Sequence, residues 1–374
     1  MERTTIYQDG EAPRLNRRYR TGVSLHGHTS CSREQLGFLG GFRHQFPLIP
    51  AVIGLAARQH RRATGEALDI RRAGWRPPLD PQSALAIEAD QLHKLDLRPI
   101  VSLTDHDDVA GPLALRRSAN PPAAPVSMEW TVPFGATFVH LGVHNLPESR
   151  VREICGALHR CTRQPDAGRI AGALAMLHAE DRILIVLNHP LWDEAGIGAE
   201  AHRAALASLL ASMGAWIHAI ELNGLRSRLE NAAVVQFAEA WRKPLISGGD
   251  RHGAEPNAII NLTNATTFSE FAAELRGRGH SHILFLPQYR EPLRLRWLQT
   301  VWDIVRFYPR APEGWRHWSD RFFYQCEDGV ERSVAAVWQT SRPPFLSQAL
   351  EMLRLAQTPW LLPALRFVLP DQPE

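Results

Sequence analysis

The sequence predicts an α/β protein built as a (β/α) barrel with an appended, mainly helical C-terminal segment. Three observations carry this expectation. Short apolar runs alternate with stretches of helical periodicity between residues 21 and 286. Histidines and carboxylates collect where those runs end. The alternation stops at Pro287, beyond which Trp297, Trp302, Trp315, Trp318, Trp338 and Trp360 fall. Functional groups gather at the C-terminal strand ends of such barrels.

Taken in order, residues 1–20 are polar and basic and read as a flexible lead-in. Gly22–His26 is a short apolar strand that delivers His26-Gly27-His28. On an extended segment, alternate side chains share a face, so both imidazoles point one way. A Gly-, Pro- and Arg-rich stretch follows, from Arg33 to about Pro81. Pro81–Leu97 reads as a helix, with Leu85, Ala89, Leu92 and Leu95 at helical spacing. Arg98–Thr104 is a strand that ends at Asp105-His106-Asp107-Asp108. Val126–Val132 carries Glu129 and Thr137–Val143 carries His140, close enough for adjacent strands. Ser149–Arg163 and Ala167–Ala179 are helical. Ile183–Leu187 is continuously apolar, as a buried parallel strand should be, and stops at His189. Glu200–Met213 (helix), Trp216–Leu222 (strand), Leu229–Trp241 (helix) and Pro244–Ser247 (strand) lead to Gly248-Gly249-Asp250-Arg251-His252. Ala258–Leu262, Ser269–Arg278 and Ser281–Leu286 close the barrel region at 21–286, leaving 287–374 as a Trp-rich helical extension.

Composition narrows the class. Apolar content of 44% and charged content of 22% are those of an ordinary globular protein. A net charge of +3 does not by itself indicate nucleic acid. The basic residues are nearly all Arg, which suits bidentate recognition of phosphate or carboxylate. Cys31, Cys155, Cys161 and Cys326 lack zinc-finger or CxxC spacing. The start has no apolar signal core, and no run approaches the ~20 residues of a membrane-spanning helix. A reducing, cytoplasmic setting and no membrane partner are expected.

Neutral imidazole with carboxylate suits Zn, Mn or Fe. Read together, HGHTS, LTDHDD, MEW, VHLGVH, LNHP and SGGDRHG resemble the motif series of the polymerase-and-histidinol-phosphatase (PHP) family of metal-dependent phosphoesterases. The resemblance spans residues 21 to 286. It implies a distorted seven-stranded β/α barrel carrying two or three divalent ions (Mn, Zn or Fe). Carried over, His26, His28 and Asp250 would bind the first ion, and Glu129 would bridge it to a second held by His140 and His189. His106 and His252 would hold a third. His106, Glu129 and Asp250 are the residues expected to bear on catalysis.

One position departs from the family pattern. Its first motif usually places an Asp or His five or six residues after the second His, where this chain has Arg33 and Glu34. Arginine stays protonated and cannot be a ligand. Either Glu34 supplies the carboxylate, or Arg33 replaces the third ion with a fixed positive charge.

Two metals ~3.5–4 Å apart can bridge a water, lower its pKa and bind phosphate oxygens. Asp105 and Asp107 are natural partners for the His106 ring. Between Gly37 and Arg76, seven arginines (Arg43 among them) stand against Glu66 and Asp69. That segment reads either as a solvated basic helix or as a phosphate-binding lid, with Arg33 and Arg43 as candidate phosphate contacts.

The expected activity is therefore metal-dependent hydrolysis of a phosphate ester. A small phosphorylated substrate, a nucleotide or an oligonucleotide end all fit. The extension is a candidate surface for pairing two copies. The rivals are a metal-binding barrel with a scaffolding role and an amidohydrolase acting on C–N bonds, which usually needs a bridging Lys. No Lys lies on an expected core strand.

Overall fold

The computed structural model describes residues 3–36, 48–118, 123–340 and 343–369. Among them are fourteen strands. The first seven are β1 (Thr4–Gln8), β2 (Thr21–Leu25), β3 (Glu34–Gln35), β4 (Ala73–Trp75), β5 (Arg98–Ser102), β6 (Met128–Phe134) and β7 (Thr137–His144). The rest are β8 (Leu184–Leu187), β9 (Ala219–Asn223), β10 (Leu245–Gly248), β11 (Ile259–Thr263), β12 (Ser281–Phe285), β13 (Phe322–Gln325) and β14 (Glu331–Ser333). The chain divides into two compact units, one formed mainly by residues 1–32 and 79–293, the other by 33–78 and 294–371.

The first unit holds two five-stranded sheets, ordered β1-β12-β11-β2-β5 and β10-β9-β8-β7-β6. β2 runs parallel to β5, and β8, β9 and β10 run parallel to one another. β7 is antiparallel to both β6 and β8. Two isolated parallel bridges, Gly27↔Arg251 and His106↔Glu129, link strand ends across the sheets. Helices occupy the connections where the periodicity places them. Asp80 caps Pro81–Lys94 by accepting from Ser83 N at 2.9 Å, and Asp166 and Ser227 do the same for Ala167–His178 and Arg228–Ala240. Gly279, at φ +59, ends Phe268–Arg278 in the left-handed conformation that glycine adopts without strain.

Strand alternation divides the core. Ile185 and Leu187 of β8 face the large cluster that includes Ile154, Leu158, Leu174 and Leu209 from the covering helices. Leu184 and Val186 of the same strand join Val23, Leu25, Ile100 and Ile246, so strands of both sheets share one interior cluster. Phe268, Phe271 and Leu275 fill the end of that cluster.

A buried ion pair lies beneath the strand ends. Arg251 Nε donates to Glu88 Oε1 at 2.8 Å, and Glu88 also accepts from Ser24 Oγ and from the Asn257 amide. Removing one partner strands an uncompensated charge. Arg251→Met is therefore expected to lower unfolding free energy by about 3–5 kcal/mol in a urea titration; a loss under about 1 kcal/mol would show the pair to be dispensable.

The second unit corrects two boundaries. Its sheet runs β14-β13-β4-β3, with β13 antiparallel to both β14 and β4. The Arg-rich segment after the first motif thus forms one unit with the C-terminal region, and the extension expected to be mainly helical carries half of a sheet. Buried groups hold this unit together. Arg321, 0% exposed, donates to the carbonyls of Trp315, Arg316, Ile304 and Arg306. The His60 ring packs 4.5 Å from Tyr324 and accepts from Trp338 Nε1 at 3.4 Å. A third correction concerns the start: residues 1–20 supply β1, paired parallel with β12 from Thr4↔Ser281 to Gln8↔Phe285. Among the described residues, no helix is long and apolar enough to cross a membrane.

Candidate metal centre

β2 ends at Leu25, and His26 turns into the left-handed region at φ +62. The pair His26 and His28 is therefore not on extended backbone, as the strand argument expected. Gly27 bridges Arg251 instead, with His28 N donating to Arg251 O at 2.8 Å, and the two rings still meet at 5.2 Å. His189 (φ +26), Asp250 (φ +53) and Asp107 (φ +50) are left-handed too. Non-glycine residues in this region cost energy and cluster at functional sites.

The Glu129 carboxylate, 0% exposed, is the centre of the arrangement. Its Oε2 lies 3.0 Å from His26 Nε2, 3.4 Å from His28 Nε2 and 3.4 Å from His106 Nε2. Its Oε1 lies 3.2 Å from His189 Nε2 and 3.6 Å from His140 Nδ1, and accepts from Asn188 Nδ2 at 2.9 Å. Asp250 Oδ1 lies 3.5–3.6 Å from His26 Nε2, His28 Nε2 and His252 Nδ1. The other oxygen, Oδ2, faces Arg226 Nη2 at 3.3 Å and Asn223 Nδ2 at 3.5 Å. The Arg226 guanidinium stacks 4.3 Å over Trp192.

Ligand atoms converge within 4.8 Å in the groups His26, His189 and Asp250; His26, His28 and Glu129; and His106, Glu129 and His140. His28, His106 and His252 form a further trio, with ring separations of 4.8 and 4.1 Å from His28. All eight of these positions were expected from the sequence, but the partition differs. His28 joins His106 and His252 as well as His26, and His189 joins His26 and Asp250.

Charges are set by burial and neighbours. Burial opposes charge on Glu129, yet His26, His106, His140 and His189 hold its carboxyl well below the usual range. Burial likewise opposes charge on Asp250, and His26, His28, His252 and Arg226 hold it well below. Burial would lower His26, but Glu129, Glu221 and Asp250 raise it well above an ordinary imidazole. Burial pushes His140 well down. Imidazoles clustered around two ionised carboxylates form the donor set that Zn, Mn or Fe takes. The residues present fit such ions.

Other polar groups near the strand ends have separate partners. Asp105 accepts from Thr29 N and Oγ1 (2.6 and 2.8 Å), and Asp107 accepts from Thr131 N at 2.8 Å. Asp105 thus holds the loop at Thr29, and Asp107 is tied to β6. His144 lies against Ser102 Oγ at 2.8 Å, its pKa lowered to about 3 by burial. Glu34 belongs to the second unit, where it opens β3 opposite Trp75 and is 7% exposed. Arg33 is exposed in that unit, and Arg43 lies outside the described residues.

Sequence reasoning missed three groups. Glu221, 1% exposed, accepts from His26 Nδ1 at 2.6 Å. Glu194, its pKa raised by burial, has Oε2 3.9 Å from His140 Nδ1. Arg226 is the third. A carboxylate inside the apolar run Ala219-Ile220-Glu221-Leu222 was a signal for Glu221, since an unpaired charge there is expensive. Arg226 and Glu194 sit in loops with no comparable signature.

No family profile matches this chain, and no curated protein sequence matches it. Among solved structures, it is similar to a protein of Bifidobacterium adolescentis provisionally described as a metal-dependent phosphoesterase. Identity there is 17%, covering 54% of this chain and 92% of that one, with a TM-score of 0.31. It is also similar to an amidohydrolase of Chromobacterium violaceum with bound sulfate and no metal. That match has 15% identity, 57% and 88% coverage, and a TM-score of 0.32.

Proposed function

We propose that this protein is a PHP-type metal-dependent hydrolase that cleaves a phosphate ester at a di- or trinuclear site. One observation carries the reading: a fully buried carboxylate, Glu129, whose two oxygens face five imidazoles at 3.0–3.6 Å. In the same reading, β2 and β5 to β10 form a distorted seven-stranded barrel. The ladders β2–β5 and β6 to β10 support this, together with the bridges His106↔Glu129 and Gly27↔Arg251.

When bound, divalent ions would supply Lewis acidity toward phosphoryl oxygens and a water ionised near neutral pH. His26, His28, Glu129 and Asp250, with His140, His189, His106 and His252, would hold them. The chain's own contribution is preorganisation. Glu129 offers one oxygen to each side of the site, and Arg226 and Asn223 keep Asp250 turned so that Oδ1 faces the imidazoles. Asn188 fixes Glu129 from behind. Phe138, Pro190 and Trp192 line the small cavity beside His140 and His189.

A C–N hydrolase of amidohydrolase type is the second reading, and the lysines count against it. Lys243 donates to the carbonyls of Gly214 and Ile217, and Lys94 ends a helix, so neither bridges the centre. The discriminating experiment is a phosphate-release screen of the Mn-loaded protein. Its substrates are histidinol phosphate, nucleoside mono- and bisphosphates, oligonucleotide ends and sugar phosphates, with an amide panel alongside. Phosphate release from at least one class is expected. Turnover confined to the amides would overturn the reading.

A further inference from the structure

We propose that Glu221 is a positioning residue that fixes the His26 ring and the His189 backbone together, so that one carboxylate sets two of the candidate metal positions. The proposal rests on the metal-centre reading. Glu221 lies between Ile220 and Leu222, which face the apolar core, while its own side chain turns inward at 1% exposure. Oε1 accepts from His26 Nδ1 at 2.6 Å, which leaves His26 Nε2 facing Glu129 Oε2 at 3.0 Å and Asp250 Oδ1 at 3.6 Å. Oε2 accepts from the His189 amide at 2.8 Å and from Asn223 Nδ2 at 3.0 Å. The two residues it ties are the left-handed His26 and His189. Each pays conformational energy for its orientation and needs a partner that holds it there.

Gly248, the last residue of β10, makes room for this arrangement. A Cβ at Gly248 would lie 1.7 Å from Glu221 Oε1 and 3.0 Å from His26 Cβ, so the missing side chain is the slot the carboxylate occupies. Physically, an imidazole that gives Nε2 to a metal must carry its hydrogen on Nδ1. An anionic acceptor at Nδ1 fixes that tautomer and ring angle and makes Nε2 more basic. Through the His189 amide, the same carboxylate also sets the backbone from which the second imidazole projects.

The test compares wild type, Glu221→Gln and Gly248→Ala in the full chain. Mn²⁺ is titrated by calorimetry, bound metal is counted after desalting, and the melting temperature of the metal-free protein is recorded. Gln keeps the volume but turns an NH₂ against the His26 Nδ1–H or the His189 N–H. Mn²⁺ affinity is expected to fall about 10–100-fold, the range for groups that orient metal ligands. Gly248→Ala, which drives the carboxylate from its slot, is expected to give the same loss with Glu221 present. Phosphatase kcat should drop with little change in KM. Should Gln prevent folding, Glu221→Asp, which keeps the charge but shortens the reach, carries the same comparison. A lowered melting temperature with unchanged Mn²⁺ affinity overturns the proposal and leaves Glu221 a packing residue. Wild type that binds no Mn²⁺, Zn²⁺ or Fe²⁺ overturns the metal-centre reading itself, a distinct result.

Discussion

Asp250→Asn is expected to lower kcat by about three orders of magnitude, roughly 4 kcal/mol of transition-state stabilisation, while the protein still folds. The substitution is nearly isosteric. Asn also tolerates the left-handed backbone at this position better than most residues do, so φ +53 is not a reason for misfolding. What changes is charge and donor geometry. Asp250 Oδ1 sits 3.5–3.6 Å from the nitrogens of His26, His28 and His252, and its Oδ2 faces Arg226 and Asn223. An amide can present its oxygen to only one of these two sides. The NH₂ then meets either the metal-facing imidazoles or the Arg226 guanidinium, which is itself a donor. Activity and bound metal should fall together, with a melting temperature for the metal-free protein close to wild type. Full activity with unchanged metal content would remove Asp250 from the mechanism.

The candidate site was legible because its chemistry is local to strand ends. Each of His26, His106, Glu129, His140, His189 and Asp250 lies in or just after an apolar run, and such runs end where the site begins. The reasoning behind His26 and His28 was less secure than its outcome. Alternation along a strand does not apply, because His26 is left-handed; the bridge between Gly27 and Arg251 brings the rings together. Which imidazoles group together was not legible, since it depends on how the Glu129 oxygens divide them. The unit boundary was hidden for another reason. β3 and β4 are two and three residues long, inside an Arg-rich stretch; they pair with each other, and β13, the further partner of β4, lies some 250 positions later. Neither periodicity nor composition signals a pairing that distant. β1 was missed because its polar, basic surroundings masked a five-residue strand that, among the described residues, pairs with β12 alone.

Glu34→Ala is expected to lower the bound metal count by one, read by elemental analysis of the desalted protein, while Arg33→Ala leaves the count unchanged. The trio His28, His106 and His252 offers three imidazole nitrogens, and a dication held there gains from an anionic fourth ligand. Glu34 is nominated for that role by the resemblance to the PHP motif series. It follows His28 by six positions, a spacing the PHP family uses. Its backbone is fixed by pairing with Trp75, and its side chain is 7% exposed. Arg33 is its exposed neighbour. The rival arrangement, with the Arg33 guanidinium standing in for the third ion, makes the opposite forecast. It requires two metals in the wild type and a tenfold or larger rise in KM for Arg33→Ala, since a charge-assisted phosphate contact contributes on the order of 1.5–3 kcal/mol. Equal metal counts in wild type and Glu34→Ala, with KM unmoved in Arg33→Ala, would eliminate both.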